Sequence, residues 1–253
     1  MPTVTALSAP YGNFLLGPQP GPGVCEVCFD LTGGPPRCHH CARPDRVIAA
    51  VAPISYSVAH EQLHHALAGY KRPPAEVARR FELELAAVLW RYLQRHEQCL
   101  ARAAEASQFQ LVTTVPSSHS ERDRTHPLHR IAGKLCGATR ERHRRLLTRT
   151  DMPVTPRTER ADKFRSEGLD GESVLLLDDT WTTGANARSA AAALTQAGAG
   201  TIAVLVIGRH LRRDYRDNHR RLDALASPFD WETCPHHSTR EHRPVRTPTH
   251  AAH

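Results

Sequence analysis

The sequence predicts an α/β fold, a parallel sheet flanked by helices, with a small four-cysteine module on its N-terminal side. Three observations carry this reading. Val174-Leu175-Leu176-Leu177 is an apolar run without alternation, as expected of a strand covered on both faces. A helix-prone stretch, Ala187 to Ala197, and another apolar segment, Thr201 to Ile207, complete a strand–helix–strand unit. Cys25, Cys28, Cys38 and Cys41 form two Cys-x-x-Cys pairs joined by a short loop.

The elements follow in order. Residues 1–24 are rich in Gly and Pro, and Gly17 to Gly23 reads as a flexible linker. The Cys module occupies 25–41. The main domain is expected over 46–215, opening with a strand from Val47 to Tyr56 and a helix from Glu61 to Tyr70. Pro73 and Pro74 break that helix, and a long amphipathic one follows from Ala75 to Ala104. Its stripe of Val77, Phe81, Leu85, Val88, Leu89 and Tyr92 recurs at helical spacing and marks a core face. A second strand runs from Phe109 to Val115, basic helical segments cover 127–148, and irregular chain leads to 172. Residues 216–253, rich in Arg, His and Pro, read as a disordered tail.

At 253 residues and 40% hydrophobic content, the chain can bury one sizeable core plus a small appendage. No run of about eighteen apolar residues exists, which predicts no membrane insertion. Met1 to Gly23 lacks a basic start and a compact apolar centre, so no secretory signal is expected and a cytoplasmic location is. The net charge of +7 suits polyanionic partners, nucleotides or nucleic acid among them, and equally suits solubility alone. The run from Arg140 to Arg149 has the same two readings: a contact to nucleic acid or diphosphate, or a solvated helix face.

Four thiolates in two knuckle turns can reach one tetrahedral ion. Two disulfides are the alternative, and a reducing compartment favours structural Zn²⁺. His39 and His40 lie inside the second knuckle and could compete as ligands, but four sulfurs already close the shell. Cys99, Cys136 and Cys234 stand apart and read as packing residues. His236 and His237, beside Cys234, could bind metal adventitiously, but with no second ligand pair at suitable spacing they read as part of the disordered tail.

After the run Val174–Leu177 come Asp178 and Asp179, then Thr180, Trp181, Thr182, Thr183, Gly184, Ala185 and Asn186. Ligands of open α/β sheets bind outside the carboxyl ends of the strands. Hydroxyls and backbone N–H groups at a helix N-terminus suit a phosphate. Adjacent carboxylates would repel that phosphate but suit a ribose diol or a hydrated Mg²⁺. The alternative is a buried strand ending in an Asp-rich turn.

This order of residues resembles the phosphoribosyl pyrophosphate (PRPP) motif of type I phosphoribosyltransferases, with Asn186 where that family usually has Thr. With the four-Cys module, it resembles more narrowly the ComF family, known from bacterial competence for DNA uptake, and its GntX relatives. The likeness covers about residues 25–210. It implies a type I phosphoribosyltransferase-like domain carrying a zinc-ribbon-like module. By position, Asp178 and Asp179 become the ribose and metal contacts, and Thr180 to Gly184 become the phosphate loop, with Ala185 and Asn186 as further binding residues at the helix start. Val115-Pro116 matches the family's Val-Pro turn, and Arg122-Asp123-Arg124 its Arg-x-Arg pair. Pro116, Ser117 and Ser118 are then expected near the pyrophosphate and its Mg²⁺, with Arg122 and Arg124 neutralising the leaving diphosphate. After Arg124 this chain has Thr125-His126-Pro127 where the family has Gly and Asn. Lys71, Arg72 and Lys134 are further candidate phosphate contacts.

The resemblance implies a transfer of phosphoribosyl to a nitrogen base. It equally admits a non-catalytic adaptor or nucleotide sensor in DNA uptake, binding a competence-type partner protein or single-stranded DNA.

Overall fold

The computed structural model describes residues 2–42, 47–72, 74–117, 125–150, 159–225 and 228–237. In chain order its elements are α1 (Val4–Ser8), a 3₁₀ turn (Ala9–Asn13), β1 (Ala50–Val58), α2 (Gln62–Gly69) and α3 (Ala75–Ala103). Then come β2 (Leu111–Thr114), α4 (Pro127–Arg130), a π turn (Ile131–Leu135), β3 (Leu147–Arg149) and β4 (Phe164–Ser166). β5 (Val174–Trp181), α5 (Ala185–Gln196), β6 (Ile202–Leu211) and α6 (Asn218–Ala224) complete the fold.

Four strands form one sheet in the order β1-β6-β5-β2, every neighbouring pair parallel. β3 and β4 make a separate antiparallel ribbon. The apolar run of β5 divides between the two faces by the pleat. Leu175 and Leu177 join Leu205 and Ile207 beneath α3, where Leu85, Leu89 and Tyr92 meet them. Val174 and Leu176 join Val204 and Val206 beneath α5, against Ala187, Ala190 and Leu194. Both faces are covered, so alternation vanishes from the sequence, and each such side chain contributes about 1.5–3 kcal/mol by leaving water. No helix among the described residues is long and apolar enough to cross a membrane.

Several expectations are corrected. β5 runs to Trp181 because β6 continues beside it to Leu211, pairing Thr180 with Gly208 and Trp181 with Arg209. Thr180 and Trp181 are therefore strand, not loop. The N-terminal segment is not a free linker: Tyr11 and Leu15 are buried in the main core. The Leu16 N–H donates to Ser55 Oγ at 2.8 Å and its carbonyl accepts from Tyr56 N at 2.8 Å, so this segment covers the edge of β1. The tail is likewise folded over part of its length, because Arg- and His-rich composition conceals a few apolar anchors. Residues 218–224 form α6, and Trp231 and Cys234 enter the main core.

The basic run is not a helix, and its arginines divide between exposed Arg140, Arg144 and Arg145 and half-buried Arg142 and Arg149. Arg142 makes a bidentate pair with Glu97 (2.6 and 2.9 Å) and donates to the carbonyls of Phe109 (2.7 Å) and Ala138 (2.6 Å). Backbone bonds from Val112 N to the Arg142 carbonyl and from Arg144 N to the Val112 carbonyl lay this run along the outer edge of β2. Arg142→Ala removes four bonds from a half-buried hub. We expect a loss of about 1–3 kcal/mol, discounted for partial exposure. A denaturant midpoint within error of wild type would refute that role.

Candidate functional site

A cleft of about 450 Å³ opens where β5 and β2 end. Asp178, Asp179 and Thr180 enter it from β5, and Val115, Pro116 and Ser117 from the chain after β2. Lys71 and Arg72 close it from the end of α2, and His126 and Pro127 from the start of α4. Asn186 in the first turn of α5 completes this lining.

The two adjacent acids have different environments. Asp179 shares the parity of Leu175 and Leu177, so it faces the α2 side of the sheet. There its Oδ2 accepts from the Tyr70 hydroxyl and pairs with the Lys71 ammonium. Burial alone would raise its pKa; the Lys71 charge, then the Lys71 and Tyr70 hydrogen bonds, outweigh burial and hold it below the usual carboxylate range. Tyr70 is held far above its ordinary value by burial and by the Asp179 charge, so it remains a neutral donor. Asp178 accepts the Asp179 N–H at 2.9 Å. Burial, with the Asp179 charge second, pushes it up to about 8. The buried Asp179 is thus ionised, and the half-buried Asp178 holds a proton until mildly alkaline pH.

This difference has a measurable consequence. The folded protein binds the Asp178 proton more tightly than the unfolded chain, whose value is near 4. The stability this residue contributes is complete below pH 4 and is lost as pH rises toward 8. Asp178→Asn should therefore gain on wild type across that window, by at most about 1.4 kcal/mol per pH unit. Urea midpoints measured from pH 4 to 9 check this, and a constant difference would contradict it.

Behind the cleft, Gly184 begins α5 in the left-handed region, at φ 79°. A β-carbon there would lie 2.2 Å from the Trp181 ring. Trp181 itself is buried and cannot offer its side chain to a phosphate; its ring instead supports the turn. Gly184→Ala should cost about 1–3 kcal/mol in backbone strain. Overpacking against Trp181 should add about 1–3 kcal/mol. An unchanged unfolding midpoint would contradict both.

The expected loop is divided. Thr180 and Asn186 face the cleft, whereas Thr182 and Thr183 line a separate cavity of about 580 Å³ beside His39, His40 and Arg209. Ala185 is buried, and its N–H is taken by Thr183 Oγ1 at 3.3 Å. Asn186 does not cap α5. Gly184 holds the cap position, and Asn186 Oδ1 accepts from Lys163, a buried cation that sequence spacing did not single out. Tyr70 was missed for the same reason, since only the packing of α2 brings it to Asp179. Lys134 is not part of the cleft lining. Ser118, Arg122 and Arg124 lie outside the described residues.

Cys25, Cys28, Cys38 and Cys41 converge, their sulfurs all within 4.8 Å of one another, and the set is compatible with a structural zinc site. Cys28 and Cys38 Sγ lie 3.7 Å apart, near the edge of about 3.8 Å expected of a tetrahedral ZnS₄ centre. The Cys38 N–H points to Cys25 Sγ at 3.4 Å, which suits a thiolate acceptor. His39 and His40 are outside this group.

Two arginines join the cluster to the motif. Arg188 of α5 donates to Cys41 Sγ (3.2 Å) and to the Thr183 carbonyl (2.8 Å), and lies over the Trp181 ring. Arg209, buried in β6, pairs with Asp30 of the cysteine module (2.9 Å) and donates to the Trp181 carbonyl (3.0 Å). No protein-family model matches the chain, and no curated protein matches it.

Proposed function

We propose that the cleft binds PRPP with Mg²⁺ and that the chain is a phosphoribosyltransferase-type protein, as its resemblance to the ComF family implies. The observation that carries this reading is the Asp178–Asp179 pair inside one cleft with Lys71 and Arg72. A ribose diol or hydrated cation needs the carboxylates, and phosphate oxygens need the cations. The donor set fits Mg²⁺: carboxylate oxygens lining a cleft of about 450 Å³, with room for water. Asp179, and Asp178 once the ion's charge has displaced its proton, would hold the ion, which would supply neutralisation of charge on the diphosphate.

Ser117 and the turn at Val115-Pro116 face the diphosphate end, and Thr180 faces the ribose. Asn186, oriented by Lys163, is placed for the 5-phosphate. In the transfer, the bond from the anomeric carbon to diphosphate breaks and its electron pair leaves on oxygen. A base nitrogen forms the new bond and releases its proton to solvent. The fixed 5-phosphate contributes positioning energy remote from that bond. The four-Cys cluster holds structural Zn²⁺ in this reading, with the chain in the cytoplasm.

A second reading, a nucleotide-sensing adaptor without turnover, is favoured by His126 and Pro127. With Thr125 they line the cleft in the stretch where the family has Gly and Asn, and Pro offers no N–H to a phosphate. Direct DNA contact by the basic run is disfavoured at Arg142, whose guanidinium is already committed to Glu97. Calorimetric titration with PRPP and Mg²⁺, followed by pyrophosphate release across a panel of nucleobases, separates the readings. Binding with release supports the enzyme and binding without release supports the sensor. Absence of PRPP binding rejects the enzyme and any sensor of PRPP.

A further inference from the structure

The fold brings together a second set of metal-binding side chains, on the face of the molecule occupied by α3. His96 and Cys99 are three residues apart on α3 and so share a face of that helix. Cys234 and His237 are also three apart, in a turn closed by the His237 N–H on the Cys234 carbonyl at 3.0 Å. The donor atoms of His96, Cys99 and Cys234 all lie within 4.8 Å of one another. Nδ1 of His237 stands 3.9 Å from Cys99 Sγ. A tetrahedral zinc ion with two sulfur and two nitrogen ligands has S···N edges of about 3.5 Å and an S···S edge of about 3.8 Å. His237 stands outside that three-residue group, so its exposed side chain turns inward to complete the set.

The state of His96 points independently to a ligand. The residue is 3% exposed, and its Nε2 meets the Trp231 carbonyl at 2.9 Å. Its Nδ1 is buried with no hydrogen-bond partner among the described residues. A buried ring nitrogen without a partner is costly. With Nε2–H donated to the carbonyl, Nδ1 presents a lone pair, the arrangement in which a backbone carbonyl orients a metal-bound imidazole. Arg102 Nη2, 3.9 Å from Cys99 Sγ, places positive charge beside one prospective thiolate.

We propose that His96, Cys99, Cys234 and His237 bind a second zinc ion. Two thiolates with two imidazoles select zinc over the hard cations, and four protein ligands leave no open position for water. The ion is therefore structural. It fastens residues 228–237 to α3 and holds Trp231 against Arg91, whose guanidinium lies 4.2 Å from the indole ring. Binding releases two protons, one from each thiol.

Elemental analysis of the purified full chain, prepared without a metal-binding tag, tests this. Wild type should carry two zinc ions per chain. Cys99→Ser and His237→Ala should each reduce the count to one. Both positions are partly or fully exposed, so these variants should keep the wild-type circular dichroism spectrum. In the Co²⁺-exchanged protein, the difference between wild type and Cys99→Ser should show thiolate-to-cobalt charge transfer. A wild-type zinc count that neither substitution lowers overturns the proposal. So does recovery of Cys99 and Cys234 as a disulfide that resists alkylation in denaturant.

Discussion

Asp178→Asn combined with Asp179→Asn should abolish Mg²⁺-dependent PRPP binding while leaving the protein folded. Each carboxylate, Asp178 once the ion has displaced its proton, is expected to make a charge-assisted contact to the ribose or the ion, worth about 1.5–3 kcal/mol. Losing both lowers affinity on the order of a hundredfold or more, at about 1.4 kcal/mol per decade. The fold should survive for separate reasons at the two positions. Asp178→Asn removes a carboxyl whose ionisation burial opposes. Asp179→Asn keeps a side-chain oxygen that accepts the Tyr70 hydroxyl. What the second substitution loses is an ion pair to Lys71, a side chain 35% exposed and therefore of modest worth. Calorimetry with PRPP and Mg²⁺, beside a thermal melt of the same preparation, reads both halves. Binding at wild-type affinity in a folded double variant would remove the cleft from consideration.

Stripping metal from the four-Cys cluster should lower the melting temperature by about 10 °C or more, taking about 2–4 °C per kcal/mol for a chain of this size. All four cysteines are buried, so without an ion their thiols share a pocket with few alternative partners. A structural zinc contributes its binding free energy directly to folding. The effect should reach the cleft, because Arg188 and Arg209 tie the cluster to Thr183 and Trp181. Cys28→Ser should therefore weaken PRPP binding although Cys28 is not among the residues lining the cleft. Melting curves with and without chelator, and titration of the variant, check the two claims. Identical melts would exclude a structural ion.

The parts of this protein that sequence revealed are those whose signal is local. The strand Val174–Leu177 was legible because two-sided burial erases alternation, and the cysteine module because its ligand spacing is short. What was not legible depends on distant partners. Tyr70 and Lys163 gain meaning only when α2 and the chain before β4 arrive beside β5. Tyr11 and Trp231 reach the core from segments whose Pro, Gly, Arg and His content reads as unstructured. The strand boundary at Trp181 was missed because it is set by the length of β6, which apolar character alone places no further than Ile207. His96-x-x-Cys99 and Cys234-x-x-His237 were hidden by separation, each pair being incomplete without the other.

The pairing of β1 with β6 also bears on how the chain is made. β1 is complete at Val58 and its partner only at Leu211, so 153 more residues, Ala59 to Leu211, are synthesised before the pair is complete. At about 5–20 residues per second, that interval is roughly 8–30 s. Throughout it, β1 is a nine-residue strand of wholly buried type that lacks its sheet neighbour. Such a strand is a template for intermolecular pairing, and sheets that depend on distant strands close slowly. The nascent chain is therefore most exposed to aggregation before β6 emerges from the ribosome, and chaperone binding during synthesis should concentrate on Ala50–Val58.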